Sequence, residues 1–176
     1  MLEKLSCESK KLIDALNNLS REGVVSYSID YEAYECSDDD LTETFGHWFG
    51  GTKWKNSGDS FIQFGQDGSG SLFLLWFYPG LAGEPPVVFM GSEGEAHFVA
   101  PNIKSFVMQL CSGKLFYDGG WLEPEDDEKE ELDWDVLKSR AEELVGPIAK
   151  NPEEIRDEGL CSCPSFPDWV KSKVEY

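Results

Sequence analysis

Residues 61–100 read FIQFGQDGSGSLFLLWFYPGLAGEPPVVFMGSEGEAHFVA. Phe61–Phe64, Leu72–Tyr78 and Val87–Met90 are dense in β-branched and aromatic residues, and Ala96–Val99 is a shorter run of the same kind. Between them lie Gly65–Gly70, Pro79–Pro86 and Gly91–Gly94, three stretches of turn chemistry. Apolar runs of roughly four to eight residues bounded by Gly, Pro, Asp and Ser read as consecutive strands. The connections are too short for a parallel crossover, which needs about a dozen residues or more. A four-stranded antiparallel meander is therefore predicted.

Helical patterns flank the meander. Leu2, Leu5, Leu12, Ile13, Leu16 and Leu19 form one apolar stripe, with Gly23 placed to end the helix. Val24–Tyr31 then partly alternates, with Val25, Tyr27, Ile29 and Tyr31 on one side, and reads as an additional strand at the edge of the meander. Ser37-Asp38-Asp39-Asp40 caps a short helix over Leu41–Phe49, which Gly50-Gly51 stops. Lys53–Ser60 reads as a loop. Beyond the meander, Asn102 caps a helix whose apolar positions are Ile103, Phe106, Val107, Leu110 and Cys111.

Glu123–Asp133 (EPEDDEKEELD) reads as a solvated, mobile loop, or else as a contact surface for a basic partner. Trp134, Leu137, Ala141, Leu144 and Val145 mark a further helix ending at Gly146-Pro147. Asn151-Pro152-Glu153-Glu154 starts another, with an N-cap, a proline at N1 and a carboxylate at N3. Phe166 and Trp169 are expected to pack back on the body. The expected fold class is α+β, an antiparallel β-meander sheet with helices packed on it, in a single domain over residues 1–176.

Hydrophobic content of 40%, with 13% aromatic residues, places the chain among globular proteins. The formal net charge is -19, from 34 acidic and 15 basic residues. That charge disfavours nucleic acid and anionic membranes as partners and steers a basic protein into encounter. No run of about eighteen apolar residues predicts a transmembrane helix. The N-terminal residues lack the apolar region of a secretory signal, so the expected location is the cytoplasm. Five cysteines at irregular spacing are expected to be reduced thiols. Cys161-Ser162-Cys163 is too closely spaced for a zinc pair, and no metal or cofactor is expected.

Gly65–Gly70 fits neither of two ligand-binding loops. Aligned as an EF-hand, it places Gly65 at the first ligand position and Trp76 where a bidentate glutamate is required, so that reading fails. A phosphate-cradling loop fails too, because no Gly-Lys-Ser/Thr follows. The remaining reading is a tight hairpin that uses glycine where φ must be positive. His47, beside Trp48 and Phe49, and His97, within a strand, read as packed core residues. Cys111 continues an apolar stripe and reads as a buried, inert thiol. No nucleophile elbow or His-Glu-x-x-His helix is present, and the chain is not expected to be an enzyme. A hydrolase would require the fold to bring a histidine to Cys111, or to pair two carboxylates.

The acid-capped short helix, FGQDGSGSLFLLWF, PPVVFMGSEGE and the helix over Ile103–Cys111 follow one another in order. In this arrangement, over about residues 35–113, the chain resembles the SUKH superfamily, the domain of the Smi–Knr cell-wall-synthesis regulators of yeast and their bacterial relatives. The resemblance implies an α+β fold and a non-enzymatic, protein-binding role. Bacterial members are immunity proteins that neutralise a cognate toxin, often a basic nuclease, by occluding its active site; fungal members are regulatory interaction scaffolds. The expected contact residues are Asp67, Gly68, Trp76 and Glu93. The acidic run (Glu125, Asp126, Asp127, Glu128, Glu130 and Glu131) would supply a second contact.

Overall fold

The computed structural model describes residues 2–26, 29–147 and 150–174. The fold is α+β. Strands β2 (Ser60–Gln66), β3 (Leu72–Phe77), β4 (Val87–Met90) and β5 (Ala96–Ala100) form the expected antiparallel meander, neighbour to neighbour. Phe61 lies opposite Trp76, Leu74 opposite Val88, and Phe89 opposite His97.

Both faces of the sheet are covered. Phe64, Phe73, Leu75, Val87, Phe89 and Val99 point to one side, under α1 (Cys7–Arg21) and α3 (Ile103–Leu110). Phe61, Leu72, Leu74, Trp76, Val88 and Met90 point to the other, under α2 (Asp38–Phe49) and α7 (Phe166–Lys173). A strand buried on both faces needs apolar residues at every position, which is why Leu72–Trp76 runs unbroken.

The fifth strand is at the expected edge but not in the expected residues. β1 is only Glu32–Ala33, paired antiparallel with Gln66 and Gly65. Val24 and Val25 cannot join it, because their N–H groups donate to the Leu19 carbonyl and close the end of α1. Tyr27, and the Leu2 side chain, lie outside the described residues. Tyr31 is a fully buried wedge: its ring meets Phe73 and Phe106 edge-on at 5.3 and 5.1 Å, and its hydroxyl donates to the Phe64 carbonyl at 3.2 Å. The β2–β3 register slips between Gln63 and Gly65, and a side chain on Gly65 would be driven into the Tyr31 ring. Gly65 is therefore needed for close approach, whereas Gly70, at φ 84, is needed for its backbone conformation.

Helix caps follow the expected residues. Ser37 accepts from the Asp40 N–H, so α2 begins at Asp38 rather than Leu41. Asn102 accepts from the Ser105 N–H, and Asn151 with Glu154 caps α6 (Pro152–Leu160) from both directions. Trp54 is buried against Phe45 and winds Lys53–Ser57, expected as loop, into a 3-10 turn.

The acidic run is also more ordered than expected. Asp126–Glu131 is a short helix, α4, with the Glu125 N–H donating to the Glu128 carboxylate at 2.6 Å. Buried Leu132 anchors its end, and Asp133 caps α5 (Trp134–Val145). Just before it, β6 (Leu115–Tyr117) and β7 (Gly120–Leu122) make a hairpin on the α3 side of the sheet, with Phe116 against Phe73 and Phe89. Its turn is Asp118-Gly119, both at positive φ (45 and 79), the dipeptide such a turn requires.

Candidate functional site

Three of the expected contact residues, Asp67, Gly68 and Glu93, meet at one end of the sheet. Asp67 holds the β2–β3 turn: its Oδ1 accepts from Ser69 N–H at 2.9 Å, Ser69 Oγ at 2.8 Å and Ser71 N–H at 2.8 Å. Gly68 lies exposed in the same turn. The Ser92 N–H donates to Ser71 Oγ at 3.1 Å and ties the β4–β5 turn, which carries Glu93 and Glu95, to the first. The β6–β7 tip closes the third side.

Between these turns lies a groove of about 340 Å³. Asp67, Glu93, Glu95 and Asp118 line it, over a floor of Phe89 and Phe116 and beside the exposed Tyr117. No lysine or arginine is among its lining residues. Asp30 lies in the same field: burial first, then the charges of Asp67 and Glu128, raise its carboxyl from 3.8 to about 6. Glu128 of α4 thus reaches this end electrostatically. Glu125, Asp126, Asp127, Glu130 and Glu131 are exposed on and beside α4 and do not line the groove.

Trp76 is not a surface residue. It is 1% exposed, and its indole N–H donates to Asp59 Oδ1 at 2.7 Å. The Trp169 indole donates to Asp59 Oδ2 at 2.9 Å, so one carboxylate fastens α7 to the sheet. Phe166 and Trp169 do pack back on the body, beside Phe61 and Trp76. His47, expected in the core, is exposed on the outer face of α2, away from buried Leu41, Phe45 and Phe49.

The sequence reading did not single out Asp30, Glu95, Tyr117 or Asp118. The Asp118-Gly119 dipeptide between two aromatic-containing runs was the available signal for the hairpin.

Behind Asp118, His97 lines a second cavity of about 420 Å³ together with Cys163 and Arg156. Its Nε2 lies 3.8 Å from Asp118 Oδ1 and has no hydrogen-bond partner among the described residues. Burial lowers the His97 pKa, against the pull of Asp118 and Glu95 and with the help of Arg156. Burial raises the Cys163 thiol. Both shifts run opposite to those of a thiolate–imidazolium pair, and neither residue perturbs the other. Cys111 is buried, donates to the Val107 carbonyl at 3.1 Å, and is pushed up to about 12, chiefly by burial. Among the described residues no group of three or more His, Cys, Asp or Glu is placed to hold a metal ion. No described helix is long and apolar enough to cross a membrane.

Compared with protein families, curated proteins and solved structures, the chain matches none of them.

Proposed function

We propose that this chain is a protein-binding module of the SUKH kind, an immunity protein that occludes the basic active site of a toxin such as a nuclease. The observation that carries the reading is the groove: four carboxylates and an exposed tyrosine on three turns, two of them tied together by Ser92 and Ser71, with no lysine or arginine on its lining. Carboxylates held at fixed spacing on hydrogen-bonded turns can stand in for the phosphates of a nucleic acid, and the net charge of -19 accelerates encounter with a basic cleft. Tyr117 supplies an aromatic surface for a guanidinium. Glu125, Asp126, Asp127, Glu128, Glu130 and Glu131 extend the negative field toward α4.

The test is capture of a partner from the native host, followed by an assay of the partner's activity with and without this chain. The expected result is loss of that activity, with an association rate that falls steeply as salt rises. A partner captured without any activity to lose would favour the regulatory-scaffold role. Inhibition with a salt-independent association rate would remove the acidic groove from the explanation.

A further inference from the structure

The β6–β7 tip rests on one imidazole. A Cβ on Gly119 would lie 2.5 Å from His97 Nδ1 and 2.6 Å from Cε1, so the ring packs directly against the turn. Arg156 of α6 donates from Nη1 to the Gly119 carbonyl at 3.2 Å and braces the same turn from outside. Asp157 holds the guanidinium at 2.8–2.9 Å. On the strand side the Phe89 ring lies 6.2 Å from the imidazole centre. The charged groups facing His97 are Asp118 from the hairpin, Glu95 from the β4–β5 turn and Arg156 from α6; Cys163, between α6 and α7, lines the adjoining cavity.

Within this packing Nε2 is shut off from solvent and lacks a hydrogen-bond partner among the described residues. A neutral imidazole can carry a lone pair there, but an imidazolium presents a proton at both nitrogens and must find acceptors. Asp118 is 71% exposed on a two-residue turn and sits 3.8 Å away. A displacement of about 1 Å would bring it to charge-assisted hydrogen-bond length.

We propose that His97 and Asp118 form a pH-operated latch: protonation of His97 draws Asp118 and the hairpin tip onto β5, and moves one wall of the acidic groove. Asp118 and Tyr117 line that groove, so closing the latch pairs one of its carboxylates with a cation and shifts its aromatic wall. This consequence for partner binding rests on the contact-surface reading. The latch itself does not, and it can be measured without a partner. Burial resists charging, so the latch operates below the ordinary imidazole range of about 6.5.

The experiment is an NMR pH titration of the full chain. There are two histidines, so His47→Gln, a change at an exposed site, assigns the imidazole signals without touching His97. The expected result is that His97 titrates below the ordinary imidazole value of about 6.5. The amides of Asp118, Gly119 and Gly120 should shift with the His97 midpoint, their exchange slowing about threefold or more beyond the intrinsic slowing of base-catalysed exchange at lower pH. Asp118→Asn, made with both histidines present, should move the His97 midpoint to still lower pH and abolish the tip response. Arg156→Gln should move the midpoint up. Tip amides that follow only the carboxylate titrations, or a His97 midpoint indifferent to Asp118→Asn, would overturn the latch. Failure of the toxin assay with this titration intact would count against the groove reading alone.

Discussion

The two ends of the sheet use carboxylates in opposite ways. Where β2 begins, Asp59 receives two indole N–H groups, from Trp76 at 2.7 Å and Trp169 at 2.9 Å, and binds α7 to the sheet. Where β2 turns into β3, Asp67, Glu93, Glu95 and Asp118 surround a groove with no basic lining residue, and Asp30 nearby is raised to about 6. The residue chemistry is the same. What differs is how far the fold depends on the carboxylate: Asp67 still holds its own turn through the Ser69 and Ser71 N–H groups, which leaves Glu93 and Glu95 as the pair that tests the contrast.

The largest effect should come from Asp59→Ala. It strands the buried Trp76 indole N–H and frees Trp169, for a loss of about 3 kcal/mol in urea unfolding. Asp59→Asn keeps an acceptor and should recover part of that loss. An unchanged midpoint for Asp59→Ala would erase the distinction between the two ends.

Next in size, Glu93→Gln with Glu95→Gln should leave stability within about 0.5 kcal/mol. The same pair should slow association with a basic partner about tenfold at low salt, read by stopped flow. A comparable loss of stability would mean that these carboxylates support the fold as Asp59 does.

A smaller change, of opposite sign, is expected at Asp30. Its folded carboxyl binds a proton more tightly than the unfolded one, so ionisation destabilises the fold. That penalty is absent below the ordinary 3.8, grows as pH rises through the interval to about 6, and is complete above it. Asp30→Asn tolerates the φ of 51 and should stabilise the chain at pH 7 by about 1 kcal/mol, after discounting for the half-exposed site. The gain should vanish below about pH 4 in thermal unfolding followed across pH.

The smallest effect belongs to Glu128→Ala, which removes the acceptor of the Glu125 N–H and should cost about 0.5 kcal/mol. Faster amide exchange confined to α4 would show that the cap, rather than the groove, is what was lost.

The meander was legible because each apolar run exceeds its turns in hydrophobic density, and because the turns are too short for crossovers. Ser37, Asn102 and Asn151 were legible as caps because side-chain oxygens at those positions meet N–H groups two or three residues on. The edge strand was misplaced because alternation in Val24–Tyr31 reflects a helix cap followed by a buried tyrosine, and pattern alone does not separate these from pairing. Acidity hid α4, although the Glu125–Glu128 spacing is that of a capping pair. In the site, Asp67 and Glu93 were legible as turn carboxylates. Trp76 was not, since the acceptor that allows its indole to be buried is Asp59, seventeen residues earlier. His97 and Asp118 come together only through the docking of a hairpin onto β5.

The carboxylate shared by Trp76 and Trp169 also gives the C-terminal helix an optical signature. If α7 lifts while α1 and α3 stay seated on the opposite face, Trp169 exchanges a fixed anion for mobile water, and Trp76, still bonded to Asp59, loses its cover of Phe166 and Trp169 in the same event. Their emission should then move to longer wavelength while the far-ultraviolet dichroism still reports intact helices.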